Sequence, residues 1–476
     1  MRPVTILPKV FAVDRQELPY LLKLIFSFET AFLLFIFAGP YKTNTYVLMI
    51  FPIDPIIVFG ALSLVVGLWV IATERIYVPG FISVACFGFF VVWVWMSFIW
   101  TPGVIYARAK AIDITVIDTL ALIAGAMIIA NSRERCLRFM VVMNIMAVIL
   151  AAQVFSEFLR LGSGRIILIN GGDGYLGYGR VCGLAAMTLF AFLATDGRLL
   201  RWKSLGVCAL LVINLWVLFT GGGRGPLISA LFPVVMVFPL GIALSYRHVR
   251  VRRGHLIMMA GLAAVLVAIV WILTDPELSR SSTTLNRFNR LFSDDQGVSD
   301  QRRQMQVWEF LKFGEQAPFI GHGIGAWPIL TYGGDFRHHP HSLPLEIIGE
   351  LGIVGLLIFT VFCFTCIRLL TAERLREDPL LLAALLMTLN MWLNAGTSGD
   401  LAENRHLFLT MGLLLLRPML QYQALDEGEA DDDAHGTVPV GDEDDRAGFL
   451  AIRDRYSQFD EDLLVERRPA LPGTTL

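Results

Sequence analysis

The sequence predicts an all-α membrane protein, a bundle of about twelve transmembrane helices with one long periplasmic loop that carries short helices. Three observations predict it. Of the 476 residues, 55% are hydrophobic and only 17% are charged, whereas soluble domains carry about 25% charge. The apolar residues are gathered into runs long enough to cross a bilayer, which takes about 20 residues at 1.5 Å each. The runs do not alternate as barrel strands do, and in lipid only helices or closed barrels satisfy their own backbone groups.

Taken in order, the apolar runs predict helices at about 21–38, 46–72, 80–100, 112–130, 138–159, 181–196, 204–220, 226–245, 256–274, 346–368, 379–395 and 404–420. The first run is read as a retained helix rather than a signal peptide, because it is long and no small-x-small cleavage pattern precedes Gly39-Pro40. Residues 1–420 form the expected transmembrane domain, with the long loop at about 275–345. Residues 421–476 are expected to be an acidic, mostly disordered cytoplasmic tail, with Asp431, Asp432, Asp433, Asp442, Glu443, Asp444 and Asp445 in it.

Charge placement predicts orientation. Arg133, Arg135 and Arg138 share one short loop; Arg198, Arg201 and Lys203 another; Arg247, Arg250, Arg252 and Arg253 a third; Arg374 and Arg376 a fourth. With about twelve helices these four loops fall on one side, which the positive-inside rule makes cytoplasmic. Both termini are then cytoplasmic, and the long loop faces the periplasm. Arg165, Arg180, Arg224 and Arg405 fall in outside loops, where that rule does not account for them.

The six cysteines lie in or beside apolar runs, so Cys363-x-x-Cys366 reads as helix packing rather than a redox or metal motif. No long basic patch with interleaved aromatics points to nucleic acid. Asp113, Asp118, Glu29 and Glu157 sit within predicted helices, where acids are costly. Internal pairing, for instance of Asp113 with Lys110 or Arg108, is the first expectation for them, and a proton relay the second.

Candidate chemistry concentrates in and after the long loop. It reads Arg302-Arg303-Gln-Met-Gln-Val-Trp308, then Gly321-His322-Gly323-Ile324-Gly325, then His338-His339-Pro340-His341-Ser342, and then the helix bearing Glu346, Glu350, Gly352 and Gly355. Imidazole exchanges its proton near neutral pH, so a histidine at the membrane boundary suits proton abstraction from an attacking hydroxyl. Against this stand solvated loop histidines and a metal site, the latter disfavoured by the central Pro and the absence of a nearby Cys or a His-x3-His pair. The Gly-x-Gly-x-Gly run follows no strand of a βαβ unit, so it is read as a tight turn that brings His322 and Trp327 over the membrane surface rather than as a nucleotide loop.

Two further runs open predicted helices on the outside face. In Thr220-Gly221-Gly222-Gly223-Arg224-Gly225-Pro226 the helix N-terminus and the guanidinium of Arg224 suit phosphate oxygens. In Gly171–Arg180, Arg180 is a candidate phosphate or sugar contact. Tyr175 and Tyr178 read either as interfacial-belt or as sugar-stacking residues.

At these residues the chain resembles the O-antigen ligase and O-antigen polymerase family of bacterial polytopic glycan transferases. The resemblance rests on helix number, polarity, the late external loop, the Pro318–Gly325 run, and a local pattern: His341-Ser342, nine residues, then Gly352 and Gly355. It implies an inner-membrane glycosyltransferase that takes a glycan from undecaprenyl diphosphate at the periplasmic face. The implied acceptor is lipid A-core or a growing polysaccharide. It implies His341, Arg224 and Arg303 as catalytic, although Gly223 stands where the family has Ser, and Arg303 lies five residues before Trp308 rather than four. Arg180, Arg302, His338, Tyr178 and Trp308 are the accompanying candidates for diphosphate or glycan binding. Neither cofactor nor metal is expected, and attack opposite the leaving group would invert the anomeric centre. A transporter or flippase of lipid-linked sugars is the alternative. It is disfavoured because no half-to-half similarity is seen and because a loop of about 70 residues is usually functional.

Overall fold

The computed structural model describes residues 18–39, 53–162, 167–169, 175–196, 202–221, 223–236, 242–245, 248–251, 298–397 and 399–418. The chain divides into two compact units, Met1–Arg417 and Pro418–Leu476. The residues predicted to form the acidic tail lie outside the described residues, as do the predicted helix at 256–274 and the first part of the long loop.

The first unit is a helical bundle. In order, its helices are α1 (Leu18–Ile25), α2 (Phe28–Ile36), α3 (Pro55–Thr73), α4 (Val78–Met96), α5 (Ile105–Ile129), α6 (Arg133–Leu161), α7 (Tyr175–Asp196), α8 (Trp202–Thr220) and α9 (Arg224–Met236). After the gap come α10 (Val298–Gln316), α11 (Ala326–Tyr332), α12 (Leu343–Ile367), α13 (Ala372–Glu377), α14 (Pro379–Thr397) and α15 (Arg405–Leu413). Seven of these are long and apolar enough to cross a membrane: α3, α4, α5, α6, α7, α12 and α14. Shorter apolar helices cover Ser204–Thr220 and Arg224–Met236. The membrane bundle is therefore present, while the full set of twelve crossings is not seen among the described residues.

One predicted element is corrected. Of the helix expected over 226–245, the described residues are helical to Met236, whereas Ile242–Ser245 pairs antiparallel with His248–Val251. Pro239 and Gly241 follow the helix in sequence, and both weaken helix continuation. The alternation His248-Val249-Arg250-Val251 has the two-residue period of a strand.

Helix α5 organises the bundle. It widens into π-helical turns at Ile114–Asp118 and Ala124–Ile129. Gly125 lies so close to α15 that a Cβ there would collide with the carbonyl of Leu409, and a Cβ on Gly412 would meet Ala126. Small residues are what allow such backbone approach in membrane bundles. At 1.5 Å per residue α5 is about 37 Å long, and it separates two charged ends. Beyond its C-terminal end, Arg133 makes a bidentate pair with Asp378 at 2.6 and 2.8 Å. There too Arg374 donates to the Leu416 carbonyl at 2.9 Å, and the Arg417 amide donates to Ala130 at 3.1 Å. The basic residues of two predicted short loops thus collect at one end. The histidine-bearing turn lies at the other.

Helix α12 is opened at Gly352, whose φ of 70° only glycine adopts without strain. The Pro318–Gly323 segment supplies the missing backbone partners. His322 and Gly323 donate to the carbonyls of Gly349 and Glu350 at 3.1 and 2.8 Å, and Ile353 and Val354 donate to Pro318 and Phe319 at 2.8 and 3.1 Å. Irregular backbone in a spanning helix persists where protein satisfies its polar groups. The expected tight turn is present, and both of its rings are packed against protein. His322 stacks on Phe313 at 4.0 Å, and Trp327 is buried among Phe310 and His338, because both rings fill the space between α10 and this turn.

Candidate functional site

The site is assembled where α5 begins, α12 begins and α14 ends. Asp335 fixes the start of α5: its carboxylate accepts the amides of Val104, Ile105 and Tyr106 at 2.8, 2.7 and 2.9 Å. Its slight burial raises its pKa, but the three N–H donors outweigh that and hold the carboxyl below the usual range. A carboxylate depressed in the folded state adds stability that is present above its unfolded pKa of about 3.9 and is lost as pH falls through the lower folded value. Asp335→Asn keeps the shape and removes the charge. It is expected to lower Tm at neutral pH and to flatten the fall in Tm on acidification; an unaltered acid slope would contradict this.

Below that cap sits a fully buried charge cluster. Lys110 Nζ bridges Glu350 at 2.7 Å and Glu346, all three side chains being within 1% of complete burial. Glu346 also accepts the Leu401 amide at 2.8 Å, so the cluster ties α5 and α12 to the 3-10 turn Leu401–Glu403. The same turn carries Asp400, which accepts the Tyr106 hydroxyl at 2.9 Å and the Ala402 amide at 2.6 Å. Burial works against the Asp400 charge, yet Lys110, His339, Tyr106 and the Ala402 amide hold its carboxyl below the usual range.

The histidine turn is laid over Asp400. His341 has φ 57°, alone among the described non-glycine residues in being positive. Such backbone is uncommon for a side-chain-bearing residue. Its ring lies edge-on to that of His339, centroids 4.4 Å apart, and His339 Nδ1 is 3.9 Å from Asp400 Oδ2. Burial above all pushes the His339 imidazole down to about 3; Asp400 opposes this, while His341, Lys110 and Arg337 add to the fall. His339 is therefore uncharged at neutral pH. Arg337 completes the turn, paired with Glu403 and 3.7 Å from Asp400.

A cavity of about 600 Å³ opens beside this turn. Four carboxylates (Asp113, Asp335, Asp400, Glu403) and four cations (Lys110, Arg180, Arg337, Arg405) line it, with Tyr106 and Phe336 among the aromatic walls. Gly399 lies against Arg180 Nη2 and Glu403 Oε2, each 3.5 Å from where its Cβ would be. Arg224 opens α9 nearby. The flanking Gly223 rests on the Tyr175 ring, and Gly225 would place a Cβ 3.6 Å from Thr397, three residues before Asp400.

The sequence-predicted residues thus divide. His341, Arg180 and Arg224 come to one end of the bundle. Arg302 and Arg303 lie on α10, and their side chains lie outside the described residues. Trp308, on the same helix, is 67% exposed. His338 stacks on Trp327 at 4.9 Å and contacts Gln306 Nε2 at 3.1 Å, so it packs the turn. Tyr178 is buried, with its hydroxyl donating to Ile167 O at 2.9 Å and lying 3.2 Å from Gly221 O, which makes it a strut between loops rather than a stacking surface. Asp113 does not pair with Lys110 as expected, because Glu346 and Glu350 occupy that ammonium. Among the described residues no group of three or more His, Cys, Asp or Glu is placed to hold a metal ion.

Sequence reasoning did not single out Asp400, Arg337 or Glu403. They sit in two turns far apart in sequence, and the spacing Asp400-x-x-Glu403 before an arginine is too common to signal a site. Lys110 entered only as a possible partner of Asp113, whereas it pairs with Glu346 and Glu350.

No curated protein matches the chain. Residues 209–360 match the family model for O-antigen ligase. That stretch contains Arg224, Arg302, Arg303 and His341 and ends within α12. Seven helices are thus long and apolar enough to cross a membrane, and residues 209–360 are similar to O-antigen ligase, a likeness that supports glycan transfer at a membrane in general.

Proposed function

We propose that the protein transfers a glycan from undecaprenyl diphosphate to an acceptor hydroxyl at the periplasmic face of the bacterial inner membrane, the acceptor being lipid A-core or a growing polysaccharide. What supports the reading is that His341 lies against His339 beside Asp400, that Arg180 lines a cavity with Asp400, and that Gly225, next to Arg224, approaches Thr397 at the same end of α14. The paired arginines Arg133 and Arg374 at the opposite end support a periplasmic placement of the site, since arginine-rich loops face the cytoplasm.

The chemistry follows from charge. As the anomeric C–O bond breaks, negative charge grows on the departing diphosphate. Guanidinium groups fixed beforehand stabilise that charge without reorganising. Arg224 and Arg303 take this role, and Arg180 assists. His341 accepts the proton of the acceptor hydroxyl as its oxygen bonds to the anomeric carbon. His339, being neutral, adds no repulsion to the imidazolium that forms on His341. Displacement from the face opposite the diphosphate inverts the anomeric centre. No step calls for a metal.

In cells, Arg224→Ala and Arg303→Ala at normal protein levels are each expected to abolish most of the surface polysaccharide that depends on this protein. Lipid-linked glycan should accumulate on the carrier at the periplasmic leaflet. Normal surface glycan in both strains would overturn the proposal. Accumulation confined to the cytoplasmic leaflet would indicate transport instead.

A further inference from the structure

Of the four cations that line the cavity, Arg337 is the most open to a ligand. Its side chain is 55% exposed. Lys110 is fully buried against Glu346 and Glu350, and Arg180 and Arg405 are half-buried.

The fold also ties Arg337 to the proposed proton acceptor. Arg337 Nε and His339 Nδ1 approach one oxygen, Asp400 Oδ2, at 3.7 and 3.9 Å. His339 in turn lies edge-on to His341, with ring centroids 4.4 Å apart. Asp400 is itself fixed by the Tyr106 hydroxyl and the Ala402 amide, so guanidinium and imidazole share one support. In an inverting displacement the base and the leaving group act on opposite sides of a single anomeric carbon. A cation that serves the leaving group must therefore stand close to the base.

The present partner of Arg337 is one that an anion can replace. Glu403 pairs with its Nη2, both side chains line the cavity, and Glu403 is 43% exposed. An ion pair this open to water contributes little to stability, so exchanging it costs little. A diphosphate carries more charge than a carboxylate and matches the planar guanidinium fork with paired oxygens. The displaced Glu403 remains in contact with water.

We propose that Arg337 is a further donor-binding residue, which exchanges Glu403 for a phosphate of the lipid diphosphate and so holds the leaving group beside His341. The proposal rests on the glycan-transfer reading for the identity of the anion, though its binding is measured apart from transfer.

The test measures binding of undecaprenyl diphosphate and of undecaprenol, which differ only in the phosphates, to the full chain in lipid nanodiscs. Arg337→Gln and Glu403→Gln each break the same ion pair. Arg337→Gln is expected to weaken binding of the diphosphate about tenfold or more, the worth of a hydrogen bond to a charged group, and to leave undecaprenol binding unchanged. Glu403→Gln is expected to bind the diphosphate at least as tightly as the wild type, because it removes the competing carboxylate. An ion pair that only braces the turn would make the two variants weaken alike. That result overturns the proposal, as does unchanged diphosphate affinity in Arg337→Gln, or a wild type that binds the diphosphate no more tightly than undecaprenol. Opposite responses of the two variants in a chain that transfers no glycan would uphold the role of Arg337 and sink the transfer reading alone.

Discussion

His341→Asn is expected to reduce glycan transfer about 10²- to 10⁴-fold, the range by which a positioned general base accelerates a reaction, while leaving the fold about as stable as the wild type. The two halves of this prediction have separate causes. The backbone at His341 has φ 57°, a region in which asparagine, like histidine, is enriched. Asparagine therefore keeps the turn while it removes the imidazole. The Asp400 anchor, with its bonds to Tyr106 and Ala402, does not depend on residue 341. A variant with near-equal Tm and a collapsed kcat, its KM for the lipid-linked donor little changed, fits a proton acceptor held in this turn. A variant that retains its kcat would remove His341 from the chemistry.

Lys110→Met is expected to be the most damaging single change to the fold. Lys110 and its two partners are buried within 1% of completely. Removing the cation strands two carboxylates in an apolar interior, and breaking a buried pair in this way costs about 3–5 kcal/mol. The damage should spread to the site, because Glu346 also holds the Leu401 amide and so the turn that carries Asp400. The expected result is a large drop in Tm in detergent together with lost activity. Adding Glu346→Gln and Glu350→Gln to the same chain is expected to recover part of the Tm, since no uncompensated charge then remains. An unchanged Tm in Lys110→Met, or no recovery in the triple variant, would show that the cluster does not hold the fold as described.

Much of the fold was legible because a membrane helix must announce itself in a long apolar run. The runs at 80–100, 204–220 and 379–395 correspond to helices Val78–Met96, Trp202–Thr220 and Pro379–Thr397. The run at 226–245 misled because apolar content alone does not separate a helix from a strand, and there Pro239 and the alternation at His248–Val251 carried the deciding information. The break at Gly352 was also hidden. It depends on a partner segment thirty residues earlier, Pro318–Gly323, whose amides and carbonyls close the opened helix.

The candidate site was legible in part for a different reason. His341 and Arg224 stand in local patterns, so their neighbours in sequence pointed to them. Asp400 and Lys110 act through contacts across hundreds of residues, such as Tyr106 with Asp400 and Lys110 with Glu350, and Arg337 reaches Asp400 and Glu403 across dozens. No local pattern encodes such a contact. The same limit turned two predicted surface residues inward: Tyr178 and His338 were drawn into packing by Ile167 and Trp327, which sequence spacing could not bring beside them.

The account stands on glycan transfer from a lipid diphosphate by residues at one end of this bundle. The most direct measurement is incubation of the purified chain with undecaprenyl-diphosphate-linked oligosaccharide and a hydroxyl acceptor, following both products in the presence of a metal chelator. The account predicts glycosylated acceptor and free undecaprenyl diphosphate in equal amounts, undiminished by the chelator. Donor that crosses a vesicle bilayer intact, with no diphosphate released, would contradict it.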